Sequence, residues 1–191
     1  LSGLIAAGPE RGDLVSNLTK IGIQQIEKAA KELIKQLGKE KLDLIVTSPY
    51  LRTKNVSKII AEATGAKIAV DKRFEEINTG IFNNRPISDH RDFFDKPSDR
   101  FIKTPPGGEN WNDVKKRMLE GALDLNSKYN GKNILIVSHG DPLWVLEGMV
   151  RNLSDQEILE MADIKPGELR KLDLNNWPYN LLTASVDLHR P

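Results

Sequence analysis

Two periodicities alternate along this chain. Short runs that are mostly apolar and β-branched recur at Leu42-Asp43-Leu44-Ile45-Val46, Lys67-Ile68-Ala69-Val70 and Asn133-Ile134-Leu135-Ile136-Val137. Such runs suit strands buried on both faces of a parallel sheet. Leu4-Ile5 closes a similar short stretch at the start. Between the runs lie helical patterns. Leu18, Ile21, Ile26, Ala30, Leu33 and Leu37 recur at helical spacing and predict one apolar face, with Gly38 as the stop. Val56, Ile59, Ile60 and Ala63 predict a second face ended by Gly65. Trp111, Val114, Met118, Ala122 and Leu125 predict a third, ending near Asn130-Gly131. Ser154 with Glu157 has the spacing of a capping box and opens a further short helix. Strands that alternate with helices need crossover connections, so the pattern predicts an α/β fold with a mostly parallel sheet.

One segment breaks this alternation. Residues 73–108 are rich in Asn, Asp, Arg and Pro and carry Phe82, Phe93, Phe94 and Phe101. A stretch so long between elements predicts a cover over a functional site.

Composition narrows the classes. The chain has 191 residues, 39% hydrophobic and 29% charged, which excludes disorder and a membrane protein as global descriptions. Its net charge of +1 argues against a dominant nucleic-acid surface. The absence of Cys excludes disulfides, thiolate nucleophiles and Cys-based zinc sites. The three His (His90, His139 and His189) sit in unrelated contexts, so no metal site and no cofactor is expected. No secretory leader is recognisable, which fits a cytoplasmic protein. The chain opens on Leu1 rather than Met, and this reads as a processed chain or, in preference, a piece cut from a longer polypeptide.

In an open parallel sheet, ligands bind beyond the carboxyl ends of the strands. The residues that follow each run are Ala6-Ala7-Gly8-Pro9-Glu10, Thr47-Ser48-Pro49-Tyr50-Leu51-Arg52, Arg73-Phe74-Glu75-Glu76 and Ser138-His139-Gly140-Asp141. Arg52, Glu76 and His139 thus converge on one rim. Arg52 falls in the first turn of its helix, where backbone N–H groups also favour an anion. An Arg can grip phosphate through two parallel hydrogen bonds. A His can donate to a phosphate oxygen, and a carboxyl can pass a proton to a leaving group. The expected ligand is phosphate or a phosphorylated small molecule. Asp141 and Glu10 read as solvated charges near helix starts.

Five segments in order carry a family resemblance: Leu18-Thr19-Lys20-Ile21-Gly22-Ile23-Gln24-Gln25, Ser48-Pro49-Tyr50-Leu51-Arg52-Thr53, Arg73-Phe74-Glu75-Glu76-Ile77-Asn78-Thr79-Gly80, Pro106-Gly107-Gly108-Glu109-Asn110-Trp111 and Ile134-Leu135-Ile136-Val137-Ser138-His139-Gly140. Together they resemble the histidine phosphatase superfamily, the group that includes phosphoglycerate mutase. The resemblance implies a three-layer α/β/α sandwich and phosphoryl transfer through a phosphohistidine without a metal. It matches Arg52 to the second phosphate-clamping Arg, Glu76 to the proton donor and His139 to the second His. It also exposes a departure. Where the family carries Arg-His-Gly after its first strand, this chain reads Ala6-Ala7-Gly8. Ala6 stands at the clamp position and Ala7 at the nucleophile, and alanine supplies neither function.

The tail Asp187-Leu188-His189-Arg190-Pro191 resembles a motif of isoleucyl-tRNA synthetases. These features together predict a phosphatase-like domain over 1–174 and, over 175–191, a linker or the start of a following domain. The leading expectation is a non-catalytic structural or binding module of a larger protein, an isoleucyl-tRNA synthetase, with the rest of that enzyme and its tRNA as partners. The alternative is a phosphomonoesterase or phosphoglycerate mutase-family enzyme working through a phosphohistidine. In that case Ala6-Ala7 was introduced by mutation, or the chemistry has moved to His139.

Overall fold

The architecture follows from where the apolar positions point. The structure, a computed structural model, describes residues 17–172 and the backbone of the strand at 2–5. Five strands form one sheet: β1 (Ser2–Ile5), β2 (Leu44–Thr47), β3 (Lys67–Val70), β4 (Ile134–Ser138) and β5 (Leu169–Lys171). Their spatial order is β3-β2-β4-β1-β5, parallel except for β5, which runs antiparallel to β1. Six α-helices surround it: α1 (Lys20–Leu37), α2 (Leu51–Thr64), α3 (Ile87–Asp92), α4 (Trp111–Lys128), α5 (Gly140–Val150) and α6 (Asp155–Glu160).

The two central strands feed two cores by simple alternation. Leu44 and Val46 of β2, with Ile134 and Ile136 of β4, pack toward α4 and α5. Ile45, Leu135 and Val137 point the other way, against Ile26, Ala30 and Leu33 of α1 and Val56 and Ile60 of α2. Successive strand residues face opposite sides, so strands covered on both faces must be apolar throughout. This is the α/β fold with a parallel sheet that the patterning predicts.

The helix boundaries follow the expected signals. Thr19 caps α1 by accepting from the Gly22 N–H, and Gly38 ends it. Gly65 ends α2 in the left-handed conformation. Capping boxes open α4 at Asn110–Asp113 and α6 at Ser154–Glu157. An ion pair between buried Lys115 and half-buried Asp155 ties α4 to α6.

Some expectations fail. β3 is an edge strand, and Ile68 and Val70 are 42% and 53% exposed rather than buried on both faces. Ile21 is 69% exposed, because α1 has only begun at Lys20 and its inward face starts lower, at Ile26. The segment 73–108 is no plain loop. It holds 3₁₀ turns at Lys72–Phe74, Gly80–Phe82 and Pro97–Phe101, as well as α3. Phe82, His90, Phe93 and Phe94 form a small edge-on aromatic cluster within it, with ring centroids 5.1 to 5.8 Å apart.

Candidate active site

The carboxyl ends of β2 and β4 lie side by side, with Thr47 in register with Val137. The chain leaving each strand enters a helix at once. β2 leads through Ser48-Pro49-Tyr50 into α2, and β4 leads through His139 into α5, so both helix N-termini meet at this rim. Neither N-cap, Tyr50 or His139, makes a side-chain capping bond. Backbone N–H groups and the positive ends of two helix dipoles therefore gather there.

Arg52 and His139 are buried, 3% and 1% exposed. The Arg52 guanidinium donates to His139 Nδ1 at 2.9 Å. An Arg can only donate, so Nδ1 presents a lone pair and the ring proton sits on Nε2. Nε2 then donates to Ser48 Oγ at 2.8 Å. Ser48 Oγ lies 2.8 Å from Thr53 Oγ1, which in turn donates to the Tyr50 carbonyl at 2.9 Å. This buried chain of hydroxyls fixes both the tautomer and the ring orientation. Burial pushes the His139 imidazole well below its ordinary pKa, and the charges of Arg52 and Arg117 push it the same way. The ring is therefore neutral at pH 7.

Glu76 approaches from the third side. Its Oε1 accepts from the Ile77 N–H at 3.0 Å, and its Oε2 lies 3.8 Å from His139 Nδ1 and 4.0 Å from Arg52. Ser138 Oγ donates to the Phe74 carbonyl at 2.7 Å, which ties the end of β4 to the loop that carries Glu76. Tyr50 closes the edge of the site, its ring 4.9 Å from the His139 ring and 4.6 Å below the Arg52 guanidinium carbon. Burial raises the Tyr50 phenol pKa, so its hydroxyl stays protonated.

The structure thus brings Arg52, Glu76 and His139 within 4.0 Å of one another. Ala6, Ala7, Glu10 and the tail with His189 and Arg190 lie outside the described residues. Sequence reasoning assigned no role to Ser48 and Thr53, although both stand in a segment singled out for Arg52. It also missed Arg117, which reaches from α4 to the loop of Glu76, and its partner Glu109. The Gly107-Gly108-Glu109 string was the available signal for that pair. Among the described residues no cluster of His, Asp or Glu could hold a metal ion, and no helix is long and apolar enough to cross a membrane.

Comparison with known proteins places this geometry. A model of the histidine phosphatase superfamily, branch 1, matches residues 8–184. A protein of Hydrogenobacter thermophilus named as a phosphoserine phosphatase is 30% identical over 138 residues, which is 70% of this chain and 66% of that protein. A protein of Yersinia pestis named as a phosphoglycerate mutase is 32% identical over 149 residues, 74% of this chain and 66% of its own length. The aligned region thus spans slightly less than two thirds of these relatives. A solved mycobacterial glucosyl-3-phosphoglycerate phosphatase superposes with a TM-score of 0.75 at 20% identity, covering 88% of this chain and 87% of that one. A phosphoserine phosphatase of Entamoeba histolytica, solved with 3-phosphoglyceric acid, gives 0.71 at 19% identity, covering 88% and 87%.

These matches overturn the expectation of a non-catalytic module of an isoleucyl-tRNA synthetase with its tRNA as partner. The relatives and structural neighbours are phosphatases and phosphoglycerate mutase-like proteins, and nothing among them indicates a synthetase. Five tail residues are too short a string to outweigh a match along most of the chain. The chain belongs to branch 1 of the histidine phosphatase superfamily.

Proposed function

We propose that this domain is a phosphomonoesterase that works through a phosphohistidine in the pocket of Arg52, Glu76 and His139. The observation that carries the reading is the neutral His139, its Nδ1 lone pair turned toward Arg52 and Glu76 at the meeting of two helix N-termini. A phosphoryl group entering this rim draws Arg52 from Nδ1 to its own oxygens, a stronger charge-assisted partner. The N–H groups of the α2 and α5 termini add to that grip.

The reaction then takes two steps. A neutral imidazole nitrogen attacks phosphorus, and an N–P bond forms as the P–O bond to the leaving alkoxide breaks. The proton of the Glu76 carboxyl passes to that alkoxide. Glu76, now a carboxylate, takes a proton from water, whose oxygen attacks phosphorus. The N–P bond breaks, phosphate leaves and the imidazole lone pair is restored. Two positions can supply the attacking nitrogen. One is His139 as it stands. The other is residue 7, where the resemblance puts a His nucleophile; Ala7 has no side-chain nitrogen, so that route requires Ala6-Ala7 to have been introduced by mutation. In the second case Arg52 and His139 bind the phosphoryl oxygens. The relatives' names favour small phosphorylated acids as substrates.

Hydrolysis of an aryl phosphate by the chain and by its Ala6→Arg, Ala7→His double variant tests the reading. Turnover by the chain, abolished by His139→Ala, puts the nucleophile at 139. Turnover by the double variant alone puts it at 7. If neither form hydrolyses phosphate esters or traps an acid-labile phosphohistidine, the reading fails.

A further inference from the structure

Glu76 sits on a stretch without regular structure, between a 3₁₀ turn ending at Phe74 and another beginning at Gly80. A carboxyl that must reach a leaving group on one side and a histidine on the other needs a fixed backbone. Three carbonyls of that backbone accept from one side chain on another element. The Arg117 guanidinium, on α4, donates to the carbonyls of Arg73 and Glu75 at 2.9 Å each and of Glu76 at 3.3 Å. Its remaining N–H groups meet the Glu109 carboxylate at 2.8 and 3.1 Å. Glu109 also accepts from the Asn78 N–H at 2.9 Å, and its own N–H donates to the Asn78 carbonyl at 2.8 Å. The two residues therefore hold the loop on both sides of Glu76.

The glycines beside Glu109 make this approach possible. A Cβ on Gly108 would lie 2.7 Å from the Asn78 carbonyl oxygen, and one on Gly80 would lie 2.2 Å from the Pro106 oxygen. Gly80 also has a φ of +59°. Glycine at 80 and 108 lets the 106–109 loop lie directly on 78–80, which delivers the Glu109 carboxylate to Arg117.

We propose that Arg117 and Glu109 form a positioning pair that sets the working geometry of Glu76, which rests on the reading of Glu76 as proton donor. Neither residue touches the phosphoryl group. The pair acts through the carbonyls it holds, as second-layer partners of catalytic groups commonly do. Its charge reaches the site as well. Among the described residues, the groups that face His139 are Arg52 and Tyr50 from the start of α2, Glu76 from its loop and Ser48 from the end of β2, with the charge of Arg117 acting from α4.

The test compares Arg117→Lys and Glu109→Gln in whichever form of the chain turns over. Arg117→Lys keeps the charge but cannot span three carbonyls and a carboxylate. Glu109→Gln keeps the shape but removes the counter-charge. Both should lower kcat roughly 10- to 100-fold while KM moves less than about threefold, because misplacing a catalytic group costs rate rather than binding. The limb of the pH–rate profile that reports Glu76 should shift in both. An unchanged kcat, or a loss expressed in KM alone, overturns the proposal.

If no form turns over, the phosphatase reading fails, and the positioning claim is read by carbon-13 NMR of the side-chain carboxyls. The Glu76 signal should move in both variants while that of Glu147, remote on α5, stays in place. A Glu76 signal that does not move overturns the proposal independently of any activity.

Discussion

The floor of the site and residues 73–108, the segment proposed as its cover, are built on different plans. The floor is the carboxyl end of β2 and β4, where every residue from Leu44 to Thr47 and from Ile134 to Ser138 is buried. Its polar groups, Ser48, Arg52, Thr53 and His139, are buried too, and they are linked in one hydrogen-bond chain that ends on the Tyr50 carbonyl. The cover is short turns, a six-residue helix and a half-buried aromatic cluster, with Ile81 and Ile102 left exposed. The floor can hold a precise geometry because burial penalises every alternative placement of its polar atoms. The aromatic cluster holds its shape through local contacts, while Phe74, Ile77 and Phe101 anchor the same segment in the core it shares with α4 and α5.

The comparison makes graded predictions. Ile136→Ala, in the centre of the floor, should cost about 4 kcal/mol in denaturant unfolding. A loss below about 1 kcal/mol would mean that the two plans do not differ as described. Next, Arg52→Ala should weaken binding of inorganic phosphate about 100-fold, measured by calorimetry, since it removes a buried charge-assisted donor pair. A mild effect would move the anion site into the cover. Phe94→Ala, in the aromatic cluster, should cost only about 1–2 kcal/mol, since its side chain is half-buried. The effect of pH should be of the order of 1 kcal/mol per unit at most. Folded His139 refuses the proton that the unfolded chain accepts near pH 6.5. Stability should therefore hold above that pH and fall as pH drops below it. In His139→Gln, chemical denaturation at pH 7.5 and 5.5 should show a smaller difference than in the parent. Finally, Ile102→Ser on the cover's outer surface should change stability by less than about 0.5 kcal/mol.

The same division explains what was legible in the sequence. β4 is buried on both faces, so its apolar run could be read directly. Lys67-Ile68-Ala69-Val70 has the same look, yet it forms an edge, because an apolar string does not say how many neighbours a strand has. Of α5 only the start, near Asp141, was anticipated. Pro142 to Leu146, Gly148 and Met149 are all buried, and a helix buried all round has no amphipathic stripe to read. β5 is three residues of Leu169-Arg170-Lys171, recognisable only by its pairing with β1. Arg52, Glu76 and His139 could be singled out because each follows a strand-like run, and the structure brings the three together. Ser48 with Thr53 and Arg117 with Glu109 are close in sequence, but what gives them a place in the site is contact with distant segments, Ser48 with His139 and Arg117 with the carbonyls of residues 73–76, and periodicity does not encode such contacts. The tail shows the opposite error, since a short string with a specific look suggested a partner that the rest of the chain does not support.

One feature of the sheet reaches into how the domain comes apart. β2 and β4 each give alternate side chains to both cores, so neither layer of helices has a private strand. Peeling α1 and α2 away strips Ile45, Leu135 and Val137 of their cover while the same strands still hold the opposite side. Half of this molecule therefore cannot melt while the other half persists. Loss of the pocket and loss of the fold should be a single event, and a probe at His139 should report the melting of the whole domain.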